Sequence, residues 1–185
     1  QLLLMNGFDP TLISSAFKYK EFVRKALKYS NITLPELRGE DNLDRVIRRL
    51  ARITRGLEPP NIEPIEIHTS NNKIVEKSFP PYFTAVRDFQ EKERVITFDD
   101  QIFNALTLVV SEPYVRHEIQ RRFRHILVDE YQDLNKSQIS LVRMIANGGA
   151  RIFAVGDDDQ LIYSWRDAKT QHLLKEFEKF FPLSK

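Results

Sequence analysis

The strongest constraint on the fold lies in two short apolar runs, residues 125–129 and 151–155, separated by one helix-length segment. The first continues into ILVDEYQDLN (Ile126–Asn135) and the second into VGDDDQLIYSWRDA (Val155–Ala168). Each run is apolar after its first residue and leads into acidic residues. The segment between starts near Asn135, stops at Gly148–Gly149 and reads as a helix. Strand, helix, strand implies a parallel crossover. Strands apolar on both faces need cover on both faces and parallel neighbours on each side. This chain supplies no such neighbours, so the two strands read as part of a larger α/β sheet.

The rest of the sequence reads mainly as helix. Leu12, Ile13, Ala16, Phe17, Val23, Ala26 and Leu27 roughly follow a 3.6-residue period that ends at Ser30–Asn31. A second helix is expected from about Asn42 to Leu57, with Leu43, Val46, Ile47, Leu50, Ile53 and Leu57 inward and Gly56 near its end. Five prolines punctuate residues 59–81, a connecting region in which 64–77 has the pattern of a small hairpin. Thr97-Phe-Asp-Asp100 carries a capping-box pattern before a helix burying Ile102, Phe103, Leu106, Val109 and Val110, and Pro113 opens another reaching Arg122. A last helix buries Leu173, Leu174, Phe177, Phe180 and Phe181.

Charge is distributed unevenly. Residues 1–60 hold 11 Lys/Arg against 7 Asp/Glu, residues 61–100 hold 5 against 8, and residues 101–185 hold 12 against 11. The basic excess is therefore remote from the acidic motifs, which suits a basic binding face separate from a metal-nucleotide site. The absence of cysteine excludes a disulfide framework and thiol chemistry and fits the cytoplasm. No apolar run is long enough to span a bilayer, so no membrane role is expected.

An apolar strand ending in Asp129–Glu130 places two carboxylates at one edge of a sheet. One can hold Mg²⁺, usually through water, and the next can take a proton from an attacking water. Bare Val-Asp-Glu is equally a strand that stops in acids before a turn. Gln132 and Asp133 complete D-E-x-Q-D, and the second acidic run follows at a suitable distance, which favours the chemical reading. Together the two stretches closely resemble the second and third motifs of the UvrD/Rep/PcrA-like DNA helicases of superfamily 1. That resemblance implies Asp129 as the Mg²⁺ ligand and Glu130 as catalytic base, with Gln132 and Asp133 linking the metal site to the neighbouring strand. These residues and Gln160 would make up the ATP site, Gln160 touching the γ-phosphate and coupling it to DNA.

The same resemblance places Tyr163 and Trp165 along a single strand of DNA. An indole stacks on any base for roughly 1–3 kcal/mol without sequence preference. Arg166 would supply a cation to a phosphate or a motif carboxylate. Read alone, Trp165 is a core aromatic, and Asp157–Asp159 a solvated turn or cation site. Ser164 and Asp167 stand where many relatives are expected to have Gly, and Asp167 sets a negative charge near the proposed DNA path.

Arg45, Arg48, Arg49, Arg52 and Arg55 line the polar side of the second helix. They are phosphate contacts or a solvated face paired with nearby acids, and both readings are open. Arg121, Arg122, Arg124 and His125 cluster at the entry of the carboxylate strand, away from the chemistry, and read as a solvated strand entry. Phe98-Asp99-Asp100 resembles a short acidic signature of the same family, with helix capping as its simplest role.

None of the six glycines is followed by lysine, so the chain has no G-x-x-x-x-G-K-[ST] loop to cradle phosphates. The resemblance therefore implies an interior piece of a larger helicase, inactive by itself. Residues 1–95 would form a mainly helical insertion subdomain and residues 96–185 a partial RecA-like (P-loop NTPase) parallel sheet layer: α/β with a large helical part. ATP and Mg²⁺ would bind in the intact protein, and its partners would be single-stranded and duplex DNA and the remainder of the helicase chain. Two other classes stay open. A DNA-binding or protein-interaction module could retain relic motor motifs, and a carboxylate-dependent Mg²⁺ hydrolase would need another acid converging on Asp129.

Overall fold

The computed structural model describes residues 9–35, 42–59, 64–69, 73–157, 177–178 and 181. They fall into two compact units, residues 1–103 and 104–185. The secondary structure is mostly helical with small parallel and antiparallel sheets, compatible with an α/β class.

The first unit begins with β1 (Thr11–Leu12), which pairs in parallel with β4 (Val95–Ile96). The Ile13 N–H extends the ladder to the Ile96 carbonyl at 2.8 Å. Leu12 and Ile13, grouped by periodicity with the first helix, are therefore extended, and α1 runs Ala16–Tyr29. Phe17 is also off the buried face, at 74% exposed. A local period cannot register a partner strand so far along the chain. α1 buries Phe22, Val23, Ala26 and Leu27. It ends where Asn31 turns left-handed (φ 56°) and the Ile32 N–H reaches the Leu27 carbonyl at 2.8 Å.

α2 (Asn42–Thr54) packs Leu43, Val46, Leu50 and Ile53 inward. It stops before the expected Leu57 because Gly56, at φ 74°, takes the left-handed position and the Leu57 N–H caps the Arg52 carbonyl. The hairpin forms as β2 (Ile65–His68) and β3 (Ile74–Lys77), antiparallel, with Ile65 and Ile67 buried. Fully buried Asn42 ties it to α2. The Asn42 side chain donates to the His68 and Pro35 carbonyls and accepts from the His68 N–H. Pro80–Pro81 does not simply close the connecting region but opens α3 (Pro80–Glu93). Proline suits a first turn because its missing N–H would have no helical partner there. Tyr82, Ala85, Val86 and Phe89 of α3 complete a core shared with α1, α2 and β2.

α4 (Phe98–Ser111) opens with the expected capping box. The Thr97 N–H donates to Asp100 Oδ2 at 2.8 Å and the Asp100 N–H to Thr97 Oγ1 at 3.2 Å. Asp100 is only 2% exposed, and its carboxylate also accepts from Arg87 Nη1 (3.0 Å), Gln90 Nε2 (2.6 Å) and Thr97 Oγ1 (2.7 Å). Of the residues expected inside this helix, Val109 is buried and Val110 is 54% exposed.

Beside this network the Tyr19 hydroxyl is held far above its ordinary value, first by burial and then by the Asp100 carboxylate, with Arg87 opposing. The protonated phenol favours the fold fully below the ordinary value of 10.0. Above it the unfolded chain ionises first, so this contribution falls as pH rises toward the folded value. Denaturant unfolding at about pH 9 and about pH 11 should show a loss of stability that shrinks in Tyr19→Phe. An equal loss in the variant would assign the effect to other groups, Tyr82 among them, whose hydroxyl burial also pushes upward.

In the second unit, α5 (Pro113–Arg122) leads to β5 (His125–Val128), a short 3-10 turn (Tyr131–Asp133), α6 (Lys136–Ala146) and β6 (Arg151–Ala154). Asn135 and Gln138 form a reciprocal capping box at the start of α6. β5 and β6 pair in parallel, Ile126 opposite Ile152 and Val128 opposite Ala154, as the strand–helix–strand pattern predicts. One face of the pair packs with Tyr131, Ile139 and Leu134. On the other, Leu127 is 78% and Phe153 63% exposed. Among the described residues no third strand joins these two. The expected last helix lies outside the described residues except for Phe177, Glu178 and Phe181.

Candidate functional site

The site is built on the turn between β5 and α6. Two parallel strands end side by side, and the Val155 N–H continues their ladder to the Val128 carbonyl at 2.8 Å. The chain then reverses, and the Tyr131 N–H returns to the Val155 carbonyl at 2.9 Å. Asp129 and Glu130 are thereby held exposed at the carboxyl end of β5, where parallel sheets place ligands.

Glu130 takes a left-handed conformation (φ 51°, ψ 48°). This is uncommon for a residue with a side chain and costs on the order of 1 kcal/mol or more. The surrounding bonds over-determine it. The Glu130 carbonyl accepts from the Asp133 N–H, and the Asp129 carboxylate accepts the Glu130 N–H at 3.0 Å through Oδ1. That bond leaves Asp129 Oδ2 without a protein partner among the described residues.

Gln132 holds the turn to β6. Its buried side chain donates through Nε2 to Glu130 Oε2 at 2.5 Å and accepts the Asp157 N–H through Oε1 at 3.0 Å. One amide thus joins the Glu130 carboxylate to the backbone leaving the neighbouring strand. Asp133 makes no side-chain hydrogen bond of this kind among the described residues. Gly156 permits the approach, since a Cβ there would lie 2.8 Å from Gln132 Oε1. Tyr131, which motif reading left without a role, is only 4% exposed and meets Phe177 edge-on at 5.2 Å, anchoring the turn from below.

Asp129, Glu130 and Gln132 are therefore brought together. Gln160, Tyr163, Trp165 and Arg166 lie outside the described residues. No three acidic or histidine side chains converge as a metal-binding group among the described residues. Mg²⁺ bound mainly through water and substrate phosphates needs only one or two carboxylates, and the exposed Asp129 with one unengaged oxygen fits that requirement.

The α2 arginines are in the first unit. Arg49 donates to the Pro64 carbonyl at 2.9 Å, pairs with Glu58 at 3.1 Å and lies over the Phe79 ring. Arg52 also pairs with Glu58, Arg55 pairs with Asp99 at 2.9 Å, and Arg45 lies 3.9 Å from Glu66. Arg48 and Arg52 are exposed, whereas Arg45 and Arg49 are half-buried. No helix among the described residues is long and apolar enough to cross a membrane.

The family model of the UvrD/REP helicase N-terminal domain matches residues 11–182. ATP-dependent DNA helicase PcrA of Staphylococcus epidermidis (strain ATCC 35984) is 31% identical over 166 residues, 90% of this chain and 22% of the relative. ATP-dependent DNA helicase Rep of Buchnera aphidicola subsp. Schizaphis graminum is 36% identical over 121 residues, 65% of this chain and 18% of the relative. Rep of Escherichia coli K12 is 48% identical over 80 residues, 43% of this chain and 12% of the relative. The chain thus spans about a fifth or less of the length of these relatives.

Proposed function

We propose, for a chain that belongs to the UvrD/REP helicase N-terminal domain family, that it is the part of an ATP-driven DNA helicase motor that positions the hydrolytic water and passes the result to DNA. The observation carrying this reading is the Gln132 amide between the Glu130 carboxylate and the Asp157 backbone. In a motor, the group that senses hydrolysis must be tied mechanically to the segment that grips the track.

In this reading Glu130 accepts the proton of the water that attacks the γ-phosphorus of ATP, while the bond to the β-phosphate oxygen breaks. Mg²⁺, held by Asp129, would neutralise charge on the phosphates. Gln132 keeps the Glu130 carboxylate oriented. Asp133 belongs to the same segment but is assigned no separate step. Gln160 is assigned to the γ-phosphate, and Tyr163, Trp165 and Arg166 to single-stranded DNA. Of the α2 arginines, Arg48 and Arg52 are assigned to DNA phosphates because they are exposed, and Arg45 and Arg49 to structure. We read residues 1–95 as a helical insertion and residues 96–185 as part of a RecA-like layer. The lysine-bearing phosphate loop would come from the remainder of the helicase chain, and the intact protein would act in the cytoplasm.

The reading is tested by ATP turnover of the intact protein with and without single-stranded DNA. Stimulation by DNA supports it, and turnover indifferent to DNA counts against it. Gly156→Ala probes the link itself. The new methyl group would displace the end of the Gln132 side chain and break its bond to Asp157. DNA-stimulated turnover should fall between about tenfold and a hundredfold, with a stability loss of about 1–3 kcal/mol for the buried amide left without its donor. Unaltered turnover would mean that Gln132 couples nothing.

A further inference from the structure

The opposite, amino-terminal end of the same strands carries a second cluster that the motor reading does not use. Arg124 and His125 enter β5, and the parallel register sets Arg151 of β6 opposite His125, with the Arg151 N–H bonded to the Arg124 carbonyl at 2.9 Å. These three with Arg121 and Phe123 line a pocket of about 480 Å³, closed on one side by Gly148–Gly149. The sequence showed only the run from Arg121 to His125. Arg151 joins it through strand pairing.

Among the described residues none that lines the pocket is acidic. Arg121 meets Glu118 at 3.5 Å but is 81% exposed in its side chain. Arg124, His125 and Arg151 have no acidic partner among the described residues. This contrasts with the α2 arginines, several of which are engaged by Glu58, Glu66 and Asp99. Phe123, 44% exposed, offers a ring beside the cations. The wall is fixed by close packing. Gln120 of α5 donates to the Met144 carbonyl at 2.6 Å, and Gly148 lies so near Gln120 that an added Cβ would sit 2.4 Å from its Cβ.

Guanidinium forks suit the oxygens of a phosphate, and an exposed ring among them suits a base. The volume lies within the range for small-ligand sites. We infer that the pocket at the amino ends of β5 and β6 binds one nucleotide unit, its phosphate between Arg124 and Arg151 and its base on Phe123. A free nucleotide and a strand end share this chemistry.

The test is photo-crosslinking of the full-length protein with 5-iodo-2′-deoxyuridine 5′-monophosphate, free or at the 5′ end of a short thymidine strand, followed by peptide mapping. Crosslinks to the Phe123 peptide are expected. They should fall about tenfold when Arg124→Glu and Arg151→Glu are combined, and recover in Arg124→Lys with Arg151→Lys, which also controls for folding. Crosslinking by the free monophosphate assigns a free nucleotide, and crosslinking only by the strand assigns a strand end. Crosslinks confined to the Trp165 segment would overturn this site while leaving the motor reading intact. Crosslinks at neither place, or displacement only by a glutamate-rich peptide, would also overturn it.

Discussion

Glu130→Gln in the intact protein should lower DNA-stimulated ATP turnover by about 10²- to 10⁴-fold, the usual contribution of a positioned general base. The substitution keeps the side chain's length and its bond from Gln132, since an amide oxygen still accepts from Nε2. It removes only the capacity to take a proton. Nucleotide affinity should therefore hold and the thermal transition should move little, because Glu130 is exposed and its left-handed backbone is retained. The measurement is steady-state turnover with saturating single-stranded DNA, beside nucleotide binding. A loss of binding in step with turnover would make Glu130 a ligand for the metal. Full activity would remove it from the chemistry, and the case for a hydrolytic site at this turn would go with it.

Asp100→Ala carries the largest expected loss of stability, about 3–5 kcal/mol, the range for deleting one member of a buried ion pair. Four donors converge on this carboxylate: the Thr97 N–H and hydroxyl, the Gln90 amide and the Arg87 guanidinium. Without it, Arg87 loses its carboxylate while keeping the Gln90 Oε1 contact at 3.1 Å, and buried Gln90 and the first turn of α4 lose an acceptor. Chemical denaturation of the single variant and of Asp100→Ala with Arg87→Met separates the causes. If the charge pairing with Arg87 dominates, the second substitution should recover a large part of the loss. A cost below about 1 kcal/mol would mean that the pair behaves as an exposed salt bridge. The acidic signature around Phe98 would then need another role, whereas the network now accounts for Asp100 as the anchor of α4.

The residues of the β5–α6 turn were legible because their contacts are local. In D-E-x-Q-D the two acids and the glutamine lie within four residues, and a tight turn brings them together whatever surrounds it. The capping box at Thr97 was legible for the same reason, being closed within three residues, as was the start of α6 near Asn135. The hairpin was visible in the alternation of Ile65 and Ile67 and in its turn-forming residues. α3 was missed because Pro80–Pro81 reads equally as the end of a loop and the start of a helix. Only the core contacts of Tyr82, Val86 and Phe89 choose between them.

By itself the sequence determined the helical periods, the two apolar strands with their acidic ends and the absence of a lysine-bearing phosphate loop. Tertiary structure alone decided the pairing of Thr11–Leu12 with Val95–Ile96, the engagement of Arg49 and Arg52 by Glu58, the meeting of Gln132 with Asp157 and the arrival of Arg151 beside Arg124. The physical reason is range. Caps, turns and helical faces are set by torsions and hydrogen bonds within a few residues. Strand partners and long-range ion pairs are chosen by which distant groups can replace the water that each polar atom loses on burial, and no local pattern records that choice.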